Sequence, residues 1–356
     1  MQKSEKISAG IVGATGYTGI ELVYWLSRHP CVSLDKVSSE SQAGQVLSDY
    51  LPGFNHIDHL RFEPFEPDNL QGCQVVFFAT PHGFAMQHVA SLLDQGIKVI
   101  DLSADYRLSD IETWEAWYGV KHQSKELIDE AAYGLTEIHR AQIKQARLVA
   151  NPGCYPTAIQ LGYYPLIKHG LIKLDNLIAD AKSGASGAGK KAAAGLMLTE
   201  LSQNFHAYKT EGHRHLPEIL EQLNRFAESH TKSRANYQKQ PLDMVFTPHL
   251  LPINRGILAT LYADLVDEQL DIADIRSVYQ QAYENEPFVK LLKPGVYPQL
   301  KNLERTNACH INIFKPPASK KVIVQSAIDN LAKGASGQAV QNMNLLFDLP
   351  ETMGLF

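Results

Sequence analysis

A short apolar run, Ile7 to Val12, passes directly into Gly13-Ala-Thr-Gly16-Tyr-Thr-Gly19, and helical spacing from Gly19 to Ser27 follows until His29-Pro30 ends it. A strand that turns through glycines straight into a helix opens a βαβ unit, and such units build a parallel sheet with right-handed crossovers. Two more apolar runs, Val75 to Ala79 and Lys98 to Leu102, continue the alternation, with helical spacing from Phe84 to Gln95 between them and Gly96 closing it. Residues 1–151 therefore predict a Rossmann-type α/β domain with a parallel sheet.

After Asn151 the texture changes. Helical spacing at Thr157 to Lys168 leads to a strand at Leu177 to Lys182, a Gly/Ser/Ala loop at Ser183 to Gly189 and a helix from Lys190. Strand-like runs follow at Met244 to Thr247, Ile257 to Asp264, His310 to Phe314 and Val322 to Ile328, with one clear helix at Ile272 to Tyr283. This half predicts an α+β domain with a mixed or antiparallel sheet. The polar stretch Ser229 to Gln240 predicts a surface loop, and Asn330 to Asn342 opens a last helix reaching about Leu346. Two domains also suit 356 residues, since single cores stop growing at roughly 250–300.

Composition narrows the partner. Lys and Arg total 33 against 38 Asp and Glu, with no basic run, so the electrostatic footprint of a nucleic-acid binder is missing. No stretch reaches the ~18 apolar residues of a membrane span, and Met1 to Gly16 lacks the apolar core of a secretory signal. The expectation is a cytoplasmic protein acting on a small molecule, with neither nucleic acid nor membrane as partner.

In the glycine loop, Gly13, Gly16 and Gly19 let a backbone approach a pyrophosphate, while Thr15, Tyr17 and Thr18 stand at a helix start whose free amides favour anions. The loop is expected to bind a dinucleotide. Near the end of the second strand, Ser38 and Ser39 suit a ribose 2′-phosphate whereas Glu40 suits a free 2′-hydroxyl, so these residues leave NADP and NAD both open. Four cysteines, Cys31, Cys73, Cys154 and Cys309, lie far apart without a C-x-x-C pair. Only Cys154 has a nucleophile's setting. Asn151-Pro-Gly-Cys154-Tyr-Pro-Thr157 follows a strand at Arg147 to Ala150 and delivers the thiol to a helix start, which favours thiolate. The other three read as small buried apolar residues.

A covalent thiol mechanism needs an acid/base partner, and Gly212-His213-Arg214-His215-Leu-Pro-Glu218 offers two histidines. Pro217 and Glu218 predict a helix from about Leu216, with His215 at its cap and Glu218 close enough to orient it. No second cluster has metal spacing, so no metal is expected. Asp101-Leu-Ser-Ala-Asp-Tyr-Arg107 follows a strand and places its polar residues at the sheet's carboxyl edge, where Arg107 suits an anionic group or an interface ion pair.

Taken in order, G-A-T-G-Y-T-G, A-T-P-H-G at 79–83, D-L-S-A-D-Y-R at 101–107, Y-G-L-T-E at 133–137, N-P-G-C-Y-P-T at 151–157, S-G-A-S-G-A-G at 183–189, H-R-H-L-P-E-I at 213–219 and K-G-A-S-G-Q-A-V-Q-N at 333–342 resemble one family. It is the N-acetyl-γ-glutamyl-phosphate reductases of arginine biosynthesis, relatives of aspartate-semialdehyde dehydrogenase, and the match spans essentially the whole chain. The resemblance implies NADPH-dependent reduction of an acyl phosphate, with Cys154 as nucleophile and His215 as acid/base. It also implies that Arg107 holds the phosphate, with Ser103, Asn151, Tyr208, His213 and Glu218 about the substrate. By the same likeness Ser183, Gly184 and Gly187 lie against the nicotinamide, Gln338 touches the cofactor, and the protein is a homodimer or homotetramer. The last helix would return to the cofactor domain, giving 1–151 with 330–356 as one domain and 152–329 as the catalytic and oligomerisation domain. Thr136 stands where proline is usual in that family, a change expected to matter little. Rival readings are an aspartate-semialdehyde dehydrogenase or other phosphorylating aldehyde dehydrogenase, a Cys-His hydrolase, and a dinucleotide-sensing regulator.

Overall fold

The computed structural model describes residues 6–231 and 242–356. They form two compact units, Met1–Pro152 with Ala335–Phe356, and Gly153–Gly334.

The first unit runs β1 (Ile7–Val12), α1 (Tyr17–Leu26), β2 (Val32–Ser38), α2 (Leu47–Tyr50), β3 (Phe62–Glu63), β4 (Val75–Phe78), α3 (Val89–Asp94), β5 (Lys98–Asp101), α4 (Ile111–Tyr118), β6 (Ala132–Tyr133), α5 (Thr136–Gln145) and β7 (Leu148–Ala150). Its sheet has the order β3-β2-β1-β4-β5-β7-β6, and every pairing is parallel. All four residues of β4, Val-Val-Phe-Phe, are buried, as a strand covered on both faces requires. Strand order reverses between β1 and β4, so the glycine loop leaves β1 at the topological switch point, where open α/β sheets bind ligands.

Two local readings change here. Helix α1 starts at Tyr17, enclosing Gly19, and the expected helix from Phe84 to Gln95 splits into a 3-10 turn at Ala85–Gln87 and α3. The break falls at His88, whose φ is -126° and whose ring packs against Phe65 and Phe84 at 4.6 and 4.8 Å between centroids. Side-chain packing has overridden helical spacing there.

The second unit contains α6 (Cys154–Lys168), β8 (Leu177–Gly184), α7 (Leu198–Leu201), β9 (His206–Ala207), α8 (Leu216–Thr231), β10 (Met244–Leu251), β11 (Ile257–Asp264), α9 (Ile272–Tyr283), β12 (Val289–Leu291), β13 (Cys309–Phe314) and β14 (Lys321–Ile328). Its sheet is mixed, in the order β12-β13-β14-β11-β8-β10-β9, with β8–β10 and β12–β13 parallel and the remaining pairings antiparallel. Leu261 alternates with half-buried neighbours along β11 and meets Gly162 of α6, where an added Cβ would stand 2.3 Å from Leu261 Cδ1. A side chain at 162 would have to displace the end of Leu261.

The expected helix from Lys190 does not form: the chain makes only a 3-10 turn at Ala194–Leu196 and the four-residue α7. From Gly187 to Glu200 every residue except Leu196 is exposed, so no apolar face is buried to hold a helix. Ser183 and Gly184 belong to β8 rather than to a loop, and α6 begins three residues before Thr157, at Cys154 itself. Of the predicted surface loop, Ser229 lies in α8, and residues 232–240 are outside the described residues. Cys31 is half-buried rather than buried, whereas Cys73 and Cys309 are buried as expected.

The chain finally re-enters the first unit through a π-helical turn at Ala332–Ser336 and α10 (Gly337–Leu346), all ten residues of which are buried. Gly19 fixes how closely loop and helix approach in that unit, because its Cβ would lie 2.2 Å from Gly13 O. Gly19→Ala should therefore destabilise the protein by about 1–3 kcal/mol in a denaturant titration. An unchanged midpoint would show that the loop has room to yield.

Candidate active site

In the first unit the β1 to α1 loop is anchored by Gly13 N and Ala14 N, which donate to Ser38 O at 3.2 and 3.0 Å. Gly13 has φ +86°, and a Cβ there would stand 2.5 Å from Ala79 O, so this glycine and Gly19 are demanded by the fold. Gly16 is different. Its φ is an ordinary -72°, and an added Cβ would meet nothing nearer than Gly13 O at 3.8 Å. The fold does not require glycine at 16, whereas a ligand approaching the backbone does. Gly16 is also the N-cap of α1 and supplies no side-chain cap, which leaves the first-turn amides of Tyr17, Thr18 and Gly19 without intrahelical acceptors. This is the donor set a pyrophosphate needs, and the residues present fit a dinucleotide.

At the end of β2, Ser38 and Ser39 are buried, and Ser39 Oγ lies 2.9 Å from Thr15 Oγ1. Glu40 turns away, its Oε1 accepting from Phe65 N at 2.9 Å.

The 101–107 loop is tied internally. Asp101 accepts from both the amide and the hydroxyl of Ser103 at 2.8 Å, and the Asp105 carboxylate accepts from Gly83 N at 2.7 Å and Met86 N at 3.1 Å. Burial first, and the Asp105 charge second, push the Asp101 carboxyl well above the usual range. Arg107 is 6% exposed and donates through Nη2 to Leu102 O at 2.7 Å. Ser103 thus shapes the loop that carries Arg107.

Four buried side chains of the first unit form a chain of hydrogen bonds. Gln338 Nε2 donates to Gly134 O at 2.9 Å and to Thr136 Oγ1, Thr136 Oγ1 donates to Asn342 Oδ1 at 3.1 Å, and Asn342 Nδ2 donates to Asn151 Oδ1 at 3.0 Å. Asn151 Nδ2 continues to Ala335 O at 3.1 Å. The Thr136 hydroxyl is both donor and acceptor inside this network, which a proline could not supply. Gln338 and Asn151 are wholly buried and engaged here.

In the second unit Cys154 is half-buried and is the first residue of α6. Its N-cap, Gly153, is held from two sides: Gly153 N donates to Glu218 Oε1 at 2.9 Å, while Gly153 O accepts from Thr157 N at 2.9 Å and Thr157 Oγ1 at 3.0 Å. Glu218 is 2% exposed, so a buried carboxylate on α8 sets the turn that presents the thiol. Sequence reasoning had this residue orienting His215 or touching substrate; its link to Gly153 spans 65 residues and left no trace in local spacing. Behind the thiol, an added Cβ at Gly334 would lie 2.8 Å from Cys154 Cβ, making that glycine a close backstop.

Aromatic rings enclose the same region. Tyr155 faces His213 at 5.6 Å, His215 at 6.0 Å and Phe246 at 5.2 Å between centroids, and its hydroxyl lies 3.1 Å from that of Tyr208. Tyr155 was not singled out from sequence, although it sits inside N-P-G-C-Y-P-T. Burial raises its phenol far above the ordinary value and pushes Tyr208 up to about 12, so both stay protonated donors. Ser183 Oγ donates to Gly184 O at 3.0 Å, while Gly187 closes over it, an added Cβ standing 3.1 Å from Ser183 Oγ.

The two histidines are distinguished by their bonds. His213 Nδ1 accepts from His215 N at 3.1 Å, and the rings lie 4.9 Å apart. Burial, then the Lys209 and Arg214 charges, lower His213 from 6.5 to about 4, so it is neutral at pH 7. Among the described residues no group of three or more His, Cys, Asp or Glu could hold a metal, and no helix is long and apolar enough to cross a membrane.

Parallel sheet, glycine loop and an N-P-G-C helix start define a class, and comparison with known proteins agrees. Residues 8–146 match the semialdehyde dehydrogenase NAD binding domain and 154–330 the semialdehyde dehydrogenase dimerisation domain. Among solved structures, aspartate semialdehyde dehydrogenase II of Vibrio cholerae complexed with ASA superposes with a TM-score of 0.70 at 15% identity, covering 97% of this chain and 99% of that one. Aspartate semialdehyde dehydrogenase with NADP from Candida albicans gives 0.69 at 16% identity, with the same coverage. Proteins named N-acetyl-gamma-glutamyl-phosphate reductase from Nitrosococcus oceani and Nitrosospira multiformis are 51% and 48% identical, each over 98% of both chains. The chain belongs to the N-acetyl-γ-glutamyl-phosphate reductase family of semialdehyde dehydrogenases, and it is an oxidoreductase.

Two outcomes are expected. Glu218→Ala should cost about 1–3 kcal/mol in thermal unfolding and slow alkylation of Cys154, whereas Glu218→Gln, which keeps an acceptor for Gly153 N, should do much less of either. Equal effects of the two would deny the carboxamide-compatible bond. For His213 the folded value of about 4 lies below the unfolded 6.5, so the unfolded chain takes up its proton first as pH drops. Stability should fall as pH is lowered from 6.5 through about 4, and His213→Phe should flatten that fall. An identical slope in the variant would locate the proton uptake elsewhere.

Proposed function

We propose that this protein reduces N-acetyl-γ-glutamyl phosphate to N-acetylglutamate 5-semialdehyde with NADPH, through a thioester on Cys154. The observation that carries the reading is the start of α6 at Cys154, with Gly153 clamped by Glu218. A thiolate there benefits from the uncapped helix terminus. It attacks the γ-acyl carbon and inorganic phosphate leaves, giving the thioester. Bound NADPH supplies the hydride that reduces this acyl carbon. His215 donates a proton to the developing oxyanion and takes it back as the carbon–sulfur bond breaks, releasing the aldehyde and restoring the thiolate. His213 suits this task less, because burial lowers its affinity for a proton and its Nδ1 is engaged by His215 N.

The other assignments follow the likeness to the family. Arg107 is assigned to the phosphate, with Asp101, Ser103 and Asp105 holding its loop. Tyr208 and His213 line the substrate side, Asn151 and Gln338 act through their buried network, and Ser183 and Gly184 at the end of β8, with Gly187 in the turn that follows, face the nicotinamide. Preference for NADP is supported by the Ser38 and Ser39 hydroxyls and by Glu40, whose carboxylate is turned to Phe65 N instead of standing ready for a ribose 2′-hydroxyl. Tyr17, Thr18 and Gly19 would hold the pyrophosphate. The dimer contact is assigned to the open face of the second sheet, where Ile178, Val245 and Tyr262 lie opposite the face that α6 covers. The working compartment is taken to be the cytoplasm.

The test is phosphate-dependent oxidation of N-acetylglutamate semialdehyde, with NADP and NAD compared and aspartate semialdehyde as the control substrate. Turnover should favour the acetylated substrate and NADP, and Cys154→Ala should abolish it while cofactor binding survives. Retained turnover in that variant, or preference for aspartate semialdehyde, would overturn the assignment.

A further inference from the structure

The S-G-A-S-G-A-G segment is too rich in glycine and serine to hold its own shape, yet it ends in a defined 3-10 turn at Ala185–Ala188. Its backbone is fastened to the turn at 252–256: Gly184 N donates to Gly256 O at 2.9 Å, Ala185 N to Ile253 O at 2.9 Å and Ser186 N to Asn254 O at 3.0 Å. One side chain bridges both pieces. Asn330, 2% exposed, accepts from Gly256 N at 2.7 Å through Oδ1 and donates from Nδ2 to Ser186 Oγ at 3.0 Å.

The residue before it organises the other side of the same corner. Asp329 pairs with Arg255 through two bonds of 2.9 and 3.1 Å and accepts from Arg305 N, Leu331 N and Ala332 N at 2.7, 2.8 and 3.1 Å. Its carbonyl then receives Gly334 N at 2.9 Å, and Gly334 is the backstop to Cys154. The dipeptide at the end of β14 therefore fixes the Ser183–Gly189 segment from one residue and the surroundings of the thiol from the next.

We propose that Asn330 is a positioning residue for hydride transfer, acting through Ser186 on the Ser183–Gly189 segment without touching a reacting atom. This rests on the function proposed above, in which that segment faces the nicotinamide.

The test uses the full chain with Asn330→Ala, Ser186→Ala and the double variant. Turnover is measured with N-acetylglutamate semialdehyde bearing hydrogen or deuterium at the aldehyde carbon, and Cys154 alkylation is followed separately. Each single variant should lower turnover about tenfold and enlarge the isotope effect, because a misplaced hydride path slows that step alone. The double variant should be no worse than the poorer single by more than about twofold, since both remove one shared bond, and Cys154 alkylation should stay within about twofold of the parent. Losses that multiply in the double variant, an unchanged isotope effect, or an equal loss of Cys154 reactivity would each overturn the proposal. Should Asn330→Ala fail to fold, Ser186→Ala breaks the same bond from the half-buried side and decides by its isotope effect. A parent protein that does not turn over the semialdehyde fells the functional reading itself, an outcome separate from any of these.

Discussion

A backbone amide donating into a buried carboxylate is the bond that sets the start of α6. Gly153 has no side chain to cap α6, so the position of its peptide, and with it the direction of Cys154, is set from outside by Glu218 at 2.9 Å. A glycine N-cap leaves the first amides of the helix open, and an open helix terminus is what a thiolate needs. The same residue that frees the terminus would also leave it loose. Glu218 and Thr157 remove that freedom by holding the residue at both its amide and its carbonyl.

The device occurs twice. Gly16 starts α1 with φ -72° and ψ 164°, and Gly153 starts α6 with φ -67° and ψ 154°, neither with a side-chain cap. By contrast α4 and α9 begin with Asp110 and Asp271, whose carboxylates accept from Glu112 N and Ala273 N. In those two helices the aspartate closes the terminus. At Gly16 and Gly153 the first-turn amides are left open, a terminus that suits an anion.

Much of this was legible in the sequence, and for identifiable reasons. Strand Ile257–Asp264 and helix Ile272–Tyr283 have the bounds that alternation and helical spacing predict, because each keeps one clean period from end to end. The start of α8 at Leu216 was within reach through its proline punctuation, whereas α1 begins at Tyr17, two residues before the expected Gly19. The failures fall where a distant neighbour decides. His88 leaves the helix to pack with Phe65, and Lys190 onward has helix-forming residues but stays exposed among the described residues. The partners of the Thr136 hydroxyl, Gln338 and Asn342, lie some 200 residues later. Residue types marked Cys154, Arg107 and the histidines as candidates, but the roles of Glu218, Gly334 and Asn330 exist only once the chain has closed on itself.

The central claim, that the thiol at the start of α6 is acylated by substrate, can be tested by mass spectrometry of the protein mixed with N-acetyl-γ-glutamyl phosphate and no nucleotide. The account predicts one added N-acetylglutamyl group, carried on the peptide containing Cys154 and absent from a Cys154→Ala chain. A protein that stays unmodified, or one acylated at another residue, would contradict it.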